Sequence, residues 1–509
     1  MGTGATMTVW LLGDQLAPDA TPLETADHVL MIEAHGFAAR LPYHPAKLTL
    51  LFSAMRHCRD ELRERGYEVT YVEAETFGEG LDEYFGAAPG DALVLMDPPS
   101  HGAAERFTAM VEDRGGSLAL VENDAFLTTP DQFDQWAGDR TVEDGFRQER
   151  WYRFVRREFD ILMDGDEPAG GAWNYDDENR ETPGPEWTPP PAPTFEPDAL
   201  TREVHEFVTE RYDDHWGNPA LDAVVWPVTR AEARSALDHF VSTRLPEFGA
   251  YQDALVEGEW ALSHSLLSSS LNLGLLRPQE LVDAVVEAYR AGDAPLNSVE
   301  GFVRQVVGWR EFMRHVYRRG MPAMGEANQL EQERALPPLY WDGETDMTCL
   351  SEAVSHVYDR GYAHHIERLM VLSNFALVYG ADPQELNRWF HLGFVDAYHW
   401  VTTPNVLGMG SFATDVLSSK PYASSGNYIN KMSDFCADCE YTVSRTTGEG
   451  ACPFNALYWD FLKENEETLR GTGRMGLMYS HVDRKDEEEW AEIRERAADV
   501  REMAREGTL

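Results

Sequence analysis

The sequence predicts two parts: an α/β amino-terminal domain on a doubly wound parallel sheet, then a large all-α domain. Three observations predict this. Short β-like runs alternate with helical patterns up to about residue 130. A proline-rich acidic stretch interrupts the chain at 181–200. Beyond about residue 200 nearly every apolar pattern has the helical period. A chain of 509 residues is too long for one compact core, and 43% hydrophobic content suffices for large ones. The expected division is 1–130 for the α/β domain, 131–200 for an interdomain linker and 201–509 for the helical domain.

The β-like runs are "MTVWLLG" (7–13), "HVLMIEA" (28–34), "YEVTYVEA" (67–74), "DALVLMD" (91–97) and "SLALVEN" (117–123). The clearest helix among them is "PAKLTLLFSAMRHCRDELRERG" (45–66). Strand–helix alternation implies a Rossmann-like sheet whose ligand site lies off the carboxyl ends of the strands, where "GDQL" (13–16) follows the first. GxGxxG and Walker motifs are missing, so an ordinary nucleotide fingerprint is excluded. "ETPGPEWTPPPAPTFEPDAL" (181–200) reads as an extended polyproline connector. "DRKDEEEWAEIRERAADVREMAREG" (483–507) reads as a charged surface helix.

Asp and Glu number 88 against 43 Lys and Arg, for a net charge of −45. Such a field repels nucleic acid at ordinary salt but is screened at molar salt, where the Debye length is about 3 Å. The charge reads as a solvated halophilic surface, compatible with a DNA substrate in a local basic or neutral cleft. "MGTGATMTVWLLGDQL" lacks a basic region ahead of an apolar stretch, and no run nears the roughly 18 apolar residues of a membrane span. A cytoplasmic protein without membrane contact is expected. Five cysteines in a reducing compartment argue against a disulfide framework.

Cys436 and Cys439 form a CxxC, Cys452 follows in "ACPF", and Cys349 lies upstream in "DMTCL". Cysteines one helical turn apart can face one centre, and a looping segment can deliver a third. Four thiolates suit zinc or an iron–sulfur cluster, and unconnected thiols are the remaining reading. Cys58, in an amphipathic helix, reads as a buried small hydrophobe.

"SHSLLSSSLNLGLLRPQEL" (263–281) sets Ser265, Ser268, Ser269 and Ser270 ahead of Gly274. Hydroxyls at a helix start cap it or hold a phosphate. "GWREFMRHVYRRG" (308–320) carries Trp309 and Arg310, which a salt-bridged helix also explains. "YAHHIERLMVLSNFALVYG" (362–380) reads as a buried helix with two adjacent histidines. One can serve as general acid beside its neighbour. The long polar stretch 393–436 reads as a ligand-wrapping loop.

Taken together, "LLGDQL", "FSAMRH", "GGAWNYDDENR", "FGAYQDA", "PLNSVEGFVRQVVGWREF", "AHHIERLM", "TPNVLGMGSFA", "KPYASSGNYINKMSDFCADC" and "ACPFNALYWDFL" resemble the cryptochrome/photolyase superfamily, specifically the iron–sulfur bacterial cryptochromes and prokaryotic (6-4) photolyases. The resemblance covers nearly the whole chain. It implies an antenna domain and a helical domain holding FAD, with phosphates near Tyr251, Ser265 and Ser268, and Trp309 and Arg310 in the shared "WREF". Asp396 and Asn405 would lie near the isoalloxazine ring, and Cys349, Cys436, Cys439 and Cys452 match the ligands of a 4Fe-4S cluster. The implied activity is light-driven repair of UV-damaged DNA by a DNA photolyase, of (6-4) type, with a photoreceptor without repair as the alternative. His364 and His365 match the family's histidine pair, His365 as proton donor; Tyr422 would line the lesion pocket. Trp389 would start a photoreduction chain that ends near Trp341. Phe390 stands where the family often has Tyr, which puts the electron route in question. Phe37 stands where an acidic contact to a lumazine-type antenna is expected, with Glu33 as a substitute; Asp176 is a candidate for Mg2+. Lys420, Lys431 and Arg445 are candidate phosphate contacts, and a monomer is expected.

Overall fold

The computed structural model describes residues 7–142, 144–184, 186–472 and 475–509. The first six residues of the segment read as lacking a leader, and Pro185 of the connector, lie outside the described residues. The five predicted strands all form: β1 (Thr8–Leu11), β2 (His28–Ala34), β3 (Glu68–Ala74), β4 (Ala92–Met96) and β5 (Ser117–Val121). They pair in parallel in the order β3-β2-β1-β4-β5, the doubly wound pattern. Side-chain alternation explains why all four residues of so short a strand as β1 are buried. Val9 and Leu11 enter the main core, while Trp10 joins Leu30, Ile32 and Leu95 in a separate core on the opposite face.

Helix α1 (Pro45–Glu64) starts where Pro45 ends the preceding loop and the His44 ring accepts the Ala46 N–H. It buries Leu48, Phe52, Met55 and Leu62, and α2 (Ala199–Arg211) packs on it. The main core therefore runs from the sheet into the helical part, joining Val9 to Trp151, Phe302 and Leu407. Residues 131–200 are helical in part. Pro130–Ala137 and Gln148–Glu158 are helices, and Trp151 is fully buried 5.1 Å from Phe133. The described residues between 180 and 198 carry neither helix nor strand.

The "GDQL" turn at the carboxyl end of β1 is packed on the helical part. The Leu16 N–H donates to the Leu273 carbonyl at 2.8 Å, and Gln15 Nε2 donates to that of Met96 at 2.8 Å. Gly274 permits this approach: its φ is +78°, and a Cβ there would stand 3.1 Å from Leu16 N.

A second core surrounds α3 (Pro383–Gly393) and α4 (Pro453–Glu464), with Trp389, Phe375 and Phe454 buried in it. The last helix, α5 (Glu487–Glu506), is not simply a charged surface helix. Trp490, Ile493, Ala497, Val500 and Ala504 recur at helical spacing and bury one face against α4. The abundance of charge in its sequence masked that narrow stripe.

Candidate functional site

Four helical segments widen locally into π-turns: Phe240–Arg244, Arg304–Arg310, Glu367–Ser373 and Val406–Gly410. Such turns shift helical register and cluster at functional sites. Between them they carry or adjoin Arg244, Trp309, Arg310, Arg368 and Asn405.

Asp396 is the centre of the polar site. It is buried, and its carboxylate receives Arg368 through both terminal nitrogens at 3.1 and 3.0 Å, and the Ser268 hydroxyl at 2.7 Å. Burial alone would raise its pKa, but the Arg368 guanidinium and the Ser268 hydroxyl hold it below the usual carboxylate range. Asn272 Nδ2 donates to the Asp396 carbonyl at 2.9 Å, and Arg310 Nε donates to Asn272 Oδ1 at 3.3 Å. Arg310 is thus one residue removed, fixed by the Ala125 and Leu271 carbonyls and by the Phe126 and Trp400 rings.

The loop before Ser268 is strained and rich in polar groups. Leu262 and Leu266 take φ of 40° and 58°, which non-glycine residues rarely adopt. The buried hydroxyls of Ser263, Ser269 and Ser270, together with His264 Nε2 and Arg244 Nε and Nη1, have no hydrogen-bond partner among the described residues. A cluster of unpartnered buried donors costs stability and fits a bound polar ligand with hydroxyl and phosphate oxygens.

Of the other residues expected at a cofactor, Ser265 is half-buried in the same loop. Tyr251 packs on Trp187 of the connector at 4.8 Å. Trp309 is half-buried against the main core, and Asn405 turns its amide back to the Val401 carbonyl at 2.8 Å.

His364 and His365 sit where the chain enters the Glu367–Ser373 segment. His364 is buried, whereas 43% of the His365 side chain is exposed. His365 Nε2 lies 3.3 Å from the Asp253 carboxylate. The sequence reading missed a third ring, His264, which stacks on His364 at 4.6 Å and meets His365 edge-on at 5.3 Å. Burial, reinforced by neighbouring histidines and arginines, drives His264 and His364 well below an ordinary imidazole. The Arg368 Nε donates to the Ala363 carbonyl at 2.6 Å, so the histidines and the Asp396 pair share one wall. Arg368 was legible as the residue one turn beyond His364, but "HHIERLM" drew attention to the histidines alone.

Trp389 is fully buried and Trp341 is 39% exposed. Tyr422 is half-buried beside the second core. Lys420 and Lys431 lie on either side of it along the chain. Asp176 pairs through Oδ1 with the buried Arg304, and 41% of its side chain stays exposed. Glu33 is committed inside the protein: Arg56 donates to both its oxygens at 3.0 and 2.8 Å, and His35 and Tyr71 also bind it. Phe37 is exposed, with the Arg40 guanidinium 4.9 Å above its ring.

Cys349, Cys436, Cys439 and Cys452 converge on one small cavity with Met347, Gly426, Ile429 and Tyr441. All are free thiols. Burial pushes Cys436 up to about 11, Cys452 to about 12 and Cys349 upward, so ionised sulfurs there need a cation beside them. Gly426 is part of the cradle, because a Cβ would come 2.7 Å from Cys452 Sγ. Cys58 stays apart, buried in α1 with its thiol raised to about 12, as a small hydrophobe should be.

A family model described as deoxyribodipyrimidine photo-lyase-related protein matches residues 9–223. A (6-4) photolyase of Agrobacterium fabrum is 39% identical over 501 residues, covering 96% of this chain and 98% of that protein. Among solved structures, a bacterial class III photolyase from Agrobacterium tumefaciens shares the fold at a TM-score of 0.61 and 14% identity over 99% of both chains. A Synechocystis cryptochrome shares it at 0.59 and 12% identity, over 85% of this chain and 89% of that one.

Proposed function

Because the chain belongs to the cryptochrome/photolyase superfamily, we propose that it is a light-driven DNA photolyase acting on (6-4) pyrimidine photoproducts. The observation that carries this reading is the shared wall of Arg368, Asp396 and the three histidines in a chain so close to a (6-4) photolyase. FAD, when bound, supplies the light absorption and the electron given to the lesion. Asp396, Arg368 and Ser268 would hold it, with the unpartnered hydroxyls of Ser263, Ser269 and Ser270 available to its polar oxygens.

The histidines then divide the proton chemistry. His364 is kept neutral by burial and by the neighbouring His264, His365 and Arg368, so it orients rather than donates. His365 faces solvent with its Nε2 against the Asp253 carboxylate, which leaves Nδ1 to give a proton to a flipped-out base. Tyr422 would line the same pocket, with Lys420 and Lys431 as phosphate contacts. A lumazine-type antenna would meet Phe37 and Arg40, since Glu33 is already engaged.

The cysteine cavity would hold a 4Fe-4S cluster. Four thiolates on one zinc, each about 2.3 Å from it, stand close to one another. Here the four thiols reach one small cavity from three separate stretches of chain, a donor set that also suits the larger iron–sulfur centre. Iron and acid-labile sulfide analysis tests this, with zinc at one equivalent as the opposing result.

The deciding experiment is repair of a defined (6-4) oligonucleotide under blue light in molar potassium chloride. The wild type repairs it, and His365→Ala loses activity by about a hundredfold or more while retaining FAD. A wild type carrying reduced FAD that leaves the lesion intact overturns the reading.

A further inference from the structure

The ring of Trp216 sits between three others. Its centroid is 5.9 Å from Trp389, 5.8 Å from Trp341 and 5.8 Å from Tyr358. Trp389 is fully buried, whereas Trp341 is 39% and Tyr358 40% exposed. Trp216 is held in place: its Nε1 donates to the Trp341 carbonyl at 2.7 Å, and the Asn218 N–H donates to that of Tyr358 at 2.7 Å. Gly393 lets the indole lie close to α3, since a Cβ there would stand 3.1 Å from its Cζ3. On the inner side Trp389 touches Phe394 at 5.7 Å, and Phe394 carries the Arg368 guanidinium 4.4 Å over its face. Phe390, perpendicular to Trp389 at 5.4 Å, offers no readily oxidised ring. Every oxidisable path outward from Trp389 among these contacts leads through Trp216 or through Tyr340, which is buried with its hydroxyl donating to Leu372.

We propose that Trp216 is a branch point joining Trp389 to two alternative surface donors, Trp341 and Tyr358, during photoreduction of the bound flavin. The inference rests on the reading that FAD lies beside Asp396 and Arg368. One electron passes from Trp389 to the light-excited oxidised flavin. Trp216 refills Trp389, and Trp341 or Tyr358 refills Trp216. The flavin gains one electron; the surface ring loses one and releases its indole N–H or phenol O–H proton to water. A dissolved thiol returns an electron and a proton to that ring, and two such thiols end as a disulfide. Trp216 missed notice in the sequence because "RYDDHWGNP" is a polar loop with no period to set its tryptophan apart.

The test is flash photolysis of the FAD-loaded full chain with a thiol reductant, with electron paramagnetic resonance to identify the radicals. The wild type yields both tryptophanyl and tyrosyl radicals. Trp341→Phe leaves the tyrosyl signal only, and Tyr358→Phe the tryptophanyl signal only. Trp216→Phe loses most long-lived radical while its flavin fluorescence stays quenched by Trp389; Trp216→Tyr, which keeps an oxidisable ring, recovers part of the yield. A Trp216→Phe protein with wild-type yield, or the loss of all radical in one surface variant, overturns the branch. A wild type that holds FAD and repairs DNA but forms no radical overturns the relay and leaves the repair reading standing. A wild type that takes up no FAD overturns the repair reading, and the relay with it.

Discussion

His264 shows how one buried side chain can set a pH response. It and His364 are stacked and buried, and Arg244, Arg368 and His365 oppose a charge on one or both of them. Their folded pKa values lie well below the 6.5 of a free imidazole. The unfolded chain therefore binds more protons below that value. Stability is fully present above it and declines as pH falls through it toward the folded values. The melting temperature should drop between about pH 7 and about pH 5, and His264→Phe should lessen that drop while keeping a ring stacked on His364, the buried His44, His315 and His391 retaining their share. Parallel profiles for variant and wild type would show that the titration lies elsewhere. Nothing in "ALSHSLL" marks this histidine. Its importance comes from a partner 100 residues away, which sequence spacing does not report.

Among the elements, α5 does the most that its composition hides. Beyond burying its apolar stripe on α4, it straps the cysteine segment. Arg496 donates to the Ala451 carbonyl at 3.1 Å, next to Cys452, and Arg501 reaches Asp460 at 2.6 Å. The chain end continues this: the Asp346 N–H donates to the Leu509 carbonyl at 2.9 Å, three residues before Cys349. Ile493 is fully buried at the middle of the stripe. Ile493→Ala should cost about 2–5 kcal/mol in denaturant unfolding and speed loss of the proposed cluster from the cysteine site. A variant of wild-type stability would mean that α5 merely rests on the surface. The strands were easier to read than this helix, because their period-2 apolar runs stand between clear turns. Of the site, motif-bearing Cys, His and Asp residues were legible; Arg368, Asn272, His264 and Trp216 were not, since each acts through a tertiary contact.

At the scale of the molecule, the net charge of −45 and the proposed DNA substrate pull against each other. Only five of the 43 basic residues are lysines, so their positions carry weight. Two of them, Lys420 and Lys431, bracket Tyr422, and neither pairs with a carboxylate among the described residues. A protein that neutralises phosphates ordinarily loses affinity steadily as salt rises. Here the whole-molecule field adds a repulsion of longer range than the lysine contacts. At 0.1 M salt the Debye length is about 10 Å and the acidic surface is felt across the cleft; near 1 M it is about 3 Å, and only contact-distance charges survive. Affinity for a lesion oligonucleotide should therefore rise from about 0.1 M to about 1 M potassium chloride before the usual decline sets in. Lys420→Gln with Lys431→Gln should weaken binding most at the optimum, where local contacts dominate. Fluorescence anisotropy across the salt range decides this. A monotonic fall from low salt would show that the cleft is shielded from the acidic surface, and that the charge serves solvation alone.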